Sequence, residues 1–599
     1  MNVADKNSLF ARSGDRKTKN AAEVINLSRL KPGRGFAING TEKTEPVLLE
    51  SVSSAGDIND DGFDDIIISI TDLETARQTR EGQTYVIFGS KDIGADGTFD
   101  IDRIDGSNGF ILKNKEGNNL SNRVVSNAGD INNDGIDDLV IGADLEELTG
   151  KSYVIFGDRN LSSSGIVNLA ELNGSNGFAI EDASTKNQVG FSVSNAGDVN
   201  NDGIDDLIFS AFISNSNSDR QVKYYVVCGH AKIGNSGSLK LSDINGNNGL
   251  AIATREFDRN TESHRNIFDR NIVSNAGDVN NDGIDDILIG SEQTERSYVI
   301  FGRENLGDLR ELDLYQLDPQ NGFVIGIVNL SFSRIERETA DSRDDGIIDL
   351  SNDMKPHLGL GKAVSNAGDV NHDGIDDIII TSPYNNDGTG AAYIVFGNNN
   401  IDSSGRLDVW TLNDKTGFGI TGIDPGDRLG YSVSNAGDFN NDGIDDIAII
   451  AQGSFGNSLR SPNKLKIVGR EAYIIFGGDR LDRANYRNLS QLKVDKGIIL
   501  RKYGTDSNYS ANNLNSISNA GDVNGDGISD IVVGMSGGST AANSYVIFGS
   551  QQYGIGAARE NNSISKQDFK TNSLFKSQSS IVFLLLLLTA SLLAFLNRN

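Results

Sequence analysis

The chain has 599 residues and a formal net charge of −29, with one cysteine and four histidines. This charge excludes nucleic acid as an expected partner and favours cations, because phosphate binding needs clustered Lys and Arg. The single cysteine, Cys228, excludes an internal disulfide framework. Four histidines leave little for a His-based metal or catalytic site.

The chain starts with a polar segment. Residues 1–22 are mixed in charge and contain no apolar stretch of about 7–15 residues, the kind that a secretory signal needs. We therefore predict a disordered N-terminal arm over 1–22, followed by a repeated body over residues 23–549.

Three short patterns recur in fixed order through this body. A Gly-Phe-x-Ile strand, with Leu or Ile for Phe in two copies, starts at Gly35, Gly109, Gly177, Gly249, Gly322, Gly417 and Gly497. A Tyr-Val-Ile-Phe-Gly-like strand starts at Tyr85, Tyr153, Tyr225, Tyr298, Tyr393, Tyr473 and Tyr545. An Asp-rich loop with a short strand on either side precedes each of the latter, so every repeat offers four strands. Successive loops are 68 to 91 residues apart, which is too long for a helical solenoid unit. The pattern predicts an all-β fold, a seven-bladed β-propeller of four-stranded blades.

The order of the patterns also predicts how the ring closes. A Gly-Phe-x-Ile strand precedes the first Asp-rich loop, yet none follows the last Tyr-Val-Ile-Phe-Gly strand. We therefore expect residues 36–38 to pair with residues 545–548, so that the N-terminal strand completes the last blade. This pairing removes the open edge that a linear array would leave.

The Asp-rich loops have the spacing of a calcium site. In the third copy Asp198, Asn200, Asp202 and Asp206 occupy positions 1, 3, 5 and 9, and Ile204 at position 7 offers its carbonyl. Hard oxygen ligands at alternate positions, with Gly at position 6 for the sharp turn, are typical of calcium loops. No Glu follows at position 12, so the helix-flanked EF-hand is excluded. The predicted ligands, for up to seven Ca²⁺, are Asp57, Asn59, Asp61, Phe63 and Asp65; Asp130, Asn132, Asp134, Ile136 and Asp138; Asp198, Asn200, Asp202, Ile204 and Asp206; Asp278, Asn280, Asp282, Ile284 and Asp286; Asp369, Asn371, Asp373, Ile375 and Asp377; Asp438, Asn440, Asp442, Ile444 and Asp446; and Asp522, Asn524, Asp526, Ile528 and Asp530.

The seventh loop indicates which positions matter. It has Ser529 at position 8, where the other six loops have Asp, but it keeps the residues at positions 1, 3, 5 and 9. We infer that position 8 is not a ligand. The simpler alternative is that Asp, Asn and Gly only make good turns. A turn needs one or two such residues, so four ligand-type positions in seven copies favour calcium.

At these residues the chain resembles the FG-GAP repeats of the integrin alpha-chain propeller and its bacterial relatives. The resemblance covers about residues 24–549. It includes the strand sequences VGFSV from Val189 and LGYSV from Leu429. It implies calcium in the loops between the first and second strands on one face of the propeller, and partners on the opposite face.

Three long irregular insertions are candidates for binding a protein or glycan ligand on that opposite face, residues 254–271, 326–358 and 452–470. Two other residues have plain interpretations. Cys228 takes the place of Phe88, Phe156 and Phe301 of other repeats and is predicted to be a small buried side chain. His372, at position 4 of the fifth loop, is predicted to be solvated.

The C-terminal end differs from the body. Residues 550–580 are rich in Ser, Asn, Gln and Lys and are predicted to be a flexible tether. Residues 581–596 carry no charge and are predicted to be a hydrophobic membrane anchor helix. Together with the resemblance, this end predicts a membrane-anchored protein at the cell surface.

The sequence thus favours a calcium-binding surface propeller for adhesion or recognition. It contains no nucleophile with a neighbouring His motif, no phosphate-binding Gly loop and no zinc spacing, so we do not expect an enzyme. Two alternatives stay open, a carbohydrate-binding propeller and a non-catalytic part of a secreted hydrolase.

Overall fold

The computed structural model describes sixteen stretches between residues 21 and 554, which form one compact unit. They are residues 21–40, 47–74, 79–113, 124–142, 151–161, 165–182, 187–214, 220–254, 272–309, 311–327, 358–399, 405–453, 471–479, 488–502, 513–536 and 544–554. Most of the predicted arm, the tether and the anchor, and nearly all of the three long insertions, lie outside these residues. Within them, no helix has the length and apolarity needed to cross a membrane.

Seven strands form a closed inner ring. Each packs against the next one in the chain, and the last packs against the first. We number the blades 1 to 7 by these first strands, which are β3 (Val47–Gly56), β8 (Val125–Gly129), β13 (Gln188–Gly197), β18 (Ile272–Gly277), β23 (Val364–Gly368), β28 (Leu429–Gly437) and β32 (Asn513–Gly521).

Three further antiparallel strands follow in each blade, from the inside outwards. The second strands are β4 (Asp65–Glu74), β9 (Asp138–Ile141), β14 (Asp206–Ser214), β19 (Asp286–Ser291), β24 (Asp377–Ser382), β29 (Asp446–Ala451) and β33 (Asp530–Ser536). The third strands are β5 (Thr79–Ile87), β10 (Ser152–Ile155), β15 (Arg220–Val227), β20 (Arg296–Ile300), β25 (Ala391–Val395), β30 (Glu471–Ile475) and β34 (Ser544–Ile547). The fourth strands are β7 (Gly109–Lys113), β12 (Gly177–Glu181), β17 (Gly249–Ala253), β22 (Gly322–Gly326), β27 (Gly417–Thr421), β31 (Gly497–Arg501) and, in blade 7, β2 (Gly35–Asn39). The predicted seven-bladed all-β propeller is confirmed.

The predicted closure of the ring by the N-terminal strand is confirmed. Strand β2 pairs antiparallel with β34, with Phe36 opposite Val546 and Ile38 opposite Ser544. The N-terminal segment therefore supplies the outer strand that blade 7 lacks.

A fifth, parallel strand on most blades goes beyond the sequence prediction. It comes from the connection that leads into the fourth strand of the next blade, and in blade 5 it shrinks to a single bridge between Thr421 and Asn488. These edge strands are β1 (Glu23–Asn26) on blade 6, β6 (Thr98–Asp100) on blade 7, β11 (Ile166–Asn168), β16 (Ser238–Lys240), β21 (Glu311–Asp313) and β26 (Arg406–Asp408) on blades 1 to 4. Strands of three or four residues are too short to show a period of two, which is why the sequence did not reveal them.

Short helical turns complete the described elements. Seven 3₁₀ turns come directly after the edge strands or the bridge, and in six of them an Asn or Asp side chain caps the first turn; they are Leu27–Arg29, Ile101–Arg103, Leu169–Glu171, Leu241–Asp243, Leu314–Gln316, Val409–Thr411 and Leu489–Gln491. Three more lie elsewhere, Glu292–Thr294, Leu306–Leu309 and the helical turn Asn385–Gly388.

The core lies between adjacent blades. Apolar side chains of each sheet pack against those of the next, and Phe36, Phe110 and Phe178 of the Gly-Phe-x-Ile strands are fully buried. Each such side chain contributes about 1.5–3 kcal/mol by leaving water. Cys228 is buried as predicted, and this burial raises the pKa of its thiol to about 12.

Candidate metal centre

Seven Asp-rich loops join the first and second strands of the blades. Hydrogen bonds between one loop and the preceding loop link all seven around the ring, so the loops lie on one face. Each loop follows a Gly whose φ lies between 59° and 76°, a left-handed conformation that favours glycine. The loops are residues 57–65, 130–138, 198–206, 278–286, 369–377, 438–446 and 522–530, numbered 1 to 7 with their blades.

Position 1 of every loop folds the loop around its carboxylate. One oxygen accepts the backbone N–H of position 5 at 2.8–3.0 Å, and the other accepts that of position 6 at 2.7–2.8 Å. The Gly at position 6 has a φ of 82° to 90°, in the left-handed region. A side chain would meet no neighbouring atom there, so glycine is favoured for its backbone conformation and not for lack of space. One oxygen of the position-5 Asp accepts the N–H of position 7 at 3.0–3.2 Å.

Position 9 is the buried end of the loop. All seven of these aspartates have no exposed surface, and each accepts the N–H of the Gly that ends the Tyr-Val-Ile-Phe-Gly strand of its own blade at 2.8–2.9 Å. Burial, reinforced by the carboxylates at positions 5 and 1, raises the pKa of Asp138, Asp206 and Asp530 to about 8 and that of Asp377 to about 9. The same causes hold the pKa of Asp65, Asp286 and Asp446 well above its ordinary value. The three aspartates of each loop are therefore close enough to repel one another.

Position 3 supplies an amide oxygen that lacks a donor. In loops 1, 3, 4 and 6 the buried Oδ1 has no hydrogen-bond partner among the described residues; these are Asn59, Asn200, Asn280 and Asn440. Meanwhile Asn200 and Asn280 donate through their amide nitrogens to the position-9 aspartates. A buried oxygen without a hydrogen-bond donor costs free energy. A bound cation would remove this cost, because the oxygen can coordinate it. The side chains at positions 1, 3, 5 and 9 thus fit a hard divalent ion.

The carboxylates of a loop do not form a complete metal site by themselves. In the part of the chain that the structure describes, no three carboxylate, imidazole or thiol groups are gathered tightly enough to hold a metal ion. The predicted set differs from such a cluster because two of its five ligands are an amide and a backbone carbonyl. Side-chain hydrogen bonds join positions 3 and 9 in loops 2, 3, 4, 5 and 7. The ligand role of the five positions and calcium itself stay predictions.

Comparison with known proteins gives the family of these repeats. The FG-GAP repeat family matches residues 122–155, 361–395 and 429–460, each of which contains one Asp-rich loop. The chain is a β-propeller that contains FG-GAP repeats. It is 28% identical over 220 residues to integrin alpha-6 of Gallus gallus, and 32% identical over 184 residues to the phosphatidylinositol-glycan-specific phospholipase D of Bos taurus. These alignments cover 36% and 30% of this chain, but only 16% and 19% of the two relatives.

Position 8 of the Asp-rich loops has a role that the sequence did not reveal. In six blades the position-8 Asp reaches the preceding loop and accepts the backbone N–H of its position 1 at 2.7–3.1 Å. We call this contact the carboxylate clasp; its residues are Asp64, Asp137, Asp205, Asp285, Asp376 and Asp445. Burial raises the pKa of Asp137, Asp285 and Asp445 among others. The prediction that position 8 is not a ligand stays a prediction, but the residue joins one loop to the next blade.

A second contact links the blades of the FG-GAP propeller at all seven junctions. The residue after each Tyr-Val-Ile-Phe-Gly strand donates its N–H to the carbonyl at position 2 of the preceding loop, at 2.9–3.1 Å. Asp158, for example, donates to Ile58. Each Asp-rich loop is therefore held both by its own blade and by the next.

Position 4 adds contacts at the surface of this FG-GAP propeller. In loop 5 the exposed His372 has its Nδ1 2.8 Å from the carboxylate of Asp479 in blade 6, and this hydrogen bond raises the pKa of the imidazole. In loop 1 Asp60 pairs with Arg159 of blade 2. Pairs this exposed contribute little to stability.

Proposed function

We propose that this propeller binds calcium in its seven Asp-rich loops and serves adhesion or recognition at the cell surface. The observation that carries the proposal is the buried position-3 amide oxygen without a donor, beside three mutually repelling carboxylates. In each loop the side chains at positions 1, 3, 5 and 9 and the carbonyl at position 7 would hold the ion. Bound calcium supplies positive charge where buried carboxylates otherwise have to take up protons.

The effect of the ion on this chain concerns the blade junctions. The position-9 Asp ends the loop and begins the second strand, and the loop also contacts the next blade. An ion that binds only the folded loop stabilises the folded ring by mass action. Calcium is therefore proposed to set the rigidity of the ring, and the opposite face to meet a protein partner.

The similarity to integrin alpha-6 supports a protein ligand and a position at the cell surface. We propose no catalytic activity for the propeller. The predicted membrane anchor at residues 581–596 lies outside the described residues and stays a prediction.

A second candidate is a non-catalytic part of a hydrolase. It is favoured by the similarity to a phospholipase D, of which the alignment covers 19%. Stable binding of the purified chain to a separate hydrolase, with no binding to cells, would favour this candidate over adhesion, whereas saturable binding to cells without a hydrolase would favour adhesion.

Calcium titration by calorimetry, with a chelator-treated sample as reference, tests the metal. We expect saturable binding and a higher melting temperature (Tm) in calcium. Asp206→Asn removes one charge at position 9 and is expected to remove one site. Asp243→Asn, an exposed acid outside the loops, is the matched control and leaves the number of sites unchanged. Equal binding by all three proteins would contradict the ligand assignment.

A further inference from the structure

On the face opposite the Asp-rich loops, two connecting stretches lie side by side where blades 5 and 6 meet, and we call this surface, residues 383–390 and 422–428, the shelf. Residues 383–390 connect the second and third strands of blade 5, and residues 422–428 lead into the first strand of blade 6. Both stretches lie on this face because second strands end there and first strands begin there. The two stretches are joined by backbone hydrogen bonds, from Arg428 to Gly388 at 2.8 Å and from Leu429 to Thr389 at 3.2 Å.

Arg428 on this shelf has an unfavourable backbone conformation. Its φ is +52°, in the left-handed region. The repeat provides a direct comparison, because Leu429-Gly430-Tyr431 of blade 6 corresponds to Leu360-Gly361-Lys362 of blade 5. The residue before it in blade 5 is Gly359, with a φ of +74°. Blade 6 therefore carries an arginine where the fold favours glycine, and such strain is concentrated at functional sites.

The fold does not need the Arg428 side chain to hold this backbone. Besides the two hydrogen bonds to blade 5, the carboxylate of Asp427 accepts the N–H groups of Ile423 at 3.1 Å and Asp424 at 2.6 Å. These contacts come from the backbone and from a neighbouring residue, so they remain when the arginine side chain is removed.

The guanidinium of Arg428 is available to a ligand. It lies over the ring of Tyr384, with its Cζ 5.6 Å from the ring centroid, and it makes no ion pair or hydrogen bond with any described residue. The acids on the blade 4 side of the shelf are already engaged. Glu292 pairs with Lys362 at 2.7 Å, and Glu295 accepts three N–H groups from residues 358–360. The half-buried arginine thus has an aromatic support and no counter-ion within the described ranges.

We propose that Arg428 and Tyr384 form a subsite for one carboxylate, the acidic side chain of a protein partner. A guanidinium stacked on an aromatic ring keeps its edge free, and that edge matches a carboxylate through two parallel hydrogen bonds. The subsite offers one guanidinium, which matches a single carboxylate. A polyanion is disfavoured, because the net charge of −29 on the chain repels it. The inference rests on the proposed recognition role of this face and adds the chemistry of the partner.

The experiment compares two short blocked peptides, acetyl-Gly-Asp-Gly-amide and its Asn counterpart, by nuclear magnetic resonance titration against the calcium-loaded chain. We expect saturable binding of the Asp peptide, weakened about tenfold in Arg428→Gly and in Arg428→Lys, and none of the Asn peptide. The Tm of Arg428→Gly is expected to be no lower than that of the unmodified chain, because glycine suits this backbone.

Several results would overturn the subsite. They are equal binding of both peptides, no binding of the Asp peptide, full binding by Arg428→Gly, or a clear fall in the Tm of that variant, which would make the arginine a structural residue. Saturable binding of glucuronate without binding of the Asp peptide would assign the site to a glycan instead. Cell binding that persists in Arg428→Gly would refute the subsite and leave the proposed function standing. If the unmodified chain does not bind cells in the presence of calcium, the proposed function itself is refuted.

Discussion

The junction between blades 6 and 7 differs from the other six. At the others a position-8 Asp clasps the preceding loop, as Asp285 does with the N–H of Asp198 at 3.0 Å. At the blade 6–7 junction Ser529 stands in its place and packs against Gly437, and no hydrogen bond joins it to the N–H of Asp438 in the described part of the chain. This junction is also the one spanned by the N-terminal segment.

Other contacts take the place of the carboxylate there. The ring of Tyr553 stacks on Phe439 of loop 6, with centroids 5.1 Å apart, and Arg34 lies over the same tyrosine and pairs with Glu23 at 2.6 Å. Strand β1, which contains Glu23, pairs with blade 6, and β2 pairs with blade 7. The difference teaches that a carboxylate at position 8 serves the junction between blades, and that the junction lacking it depends on the chain terminus.

Removing calcium should have the largest effect on the stability of the blade junctions. Each site is expected to stabilise the folded ring by about 2.7 kcal/mol when calcium is a hundredfold above its dissociation constant. In chelator we expect a large fall in Tm. Hydrogen exchange should show the amide of Ser550, which donates to Phe439 across the blade 6–7 junction, losing protection before that of Arg303, which donates to Val199 across the blade 3–4 junction. Simultaneous loss at both junctions would contradict the view that the blade 6–7 junction is the weaker one.

The pH dependence without calcium should come next in size. Burial raises the folded-state pKa of the position-9 groups Asp138, Asp206 and Asp530 to about 8, above that of the unfolded chain. The folded state therefore holds more protons, and its stability is fully present below about pH 4 and is lost as the pH rises towards 8. We expect the Tm in chelator to fall over this range, and calcium to reduce the fall. A Tm that rises with pH in chelator would show that these groups are ionised without metal.

Converting a clasped junction into one like that of blade 7 should have a smaller effect. Asp285→Ser leaves the N–H of Asp198 without its acceptor, which is expected to cost about 1–3 kcal/mol of the free energy of unfolding. Urea denaturation in saturating calcium measures it. The number of calcium ions bound should not change, because position 8 is predicted not to be a ligand. Asp243→Asn again serves as the control.

The reverse substitution should have the smallest effect. Ser529→Asp supplies the seventh clasp and is expected to add about 0.5–1.5 kcal/mol, the net value of one hydrogen bond. It should also delay hydrogen exchange at Asp438. A loss of stability would show that Tyr553 and Phe439 leave no room for the carboxylate at this junction.

Much of the fold was predictable because the chain repeats itself. Seven copies of the strand patterns indicated seven blades, and the unmatched strands at Gly35 and Tyr545 indicated how the ring closes. The edge strands were missed, since three residues such as Ile166–Asn168 have no periodicity and pair only with another blade. For the candidate site, the spacing predicted the ligand positions of each loop, and their role in binding a metal stays a prediction.

Position 8 shows where sequence reasoning stopped. Ser529 in one copy led us to predict that this position is not a ligand, but it did not reveal its role, because the partner of Asp137 lies 80 residues away along the chain. The strain at Arg428 was equally hidden, because a φ angle is not visible in a residue name and its comparison with Gly359 needs the backbone.

The sequence by itself determined the number of blades, the order of their strands and the oxygen-rich loops, because these depend on local patterns that a repeat presents many times. Only the tertiary structure decided how loops and neighbouring blades hold one another, and that Arg428 has no counter-ion among the described residues. The reason is physical: a strand pattern depends on residues a few positions apart, whereas a clasp between blades or an unpaired guanidinium depends on which distant residues the closed ring brings together.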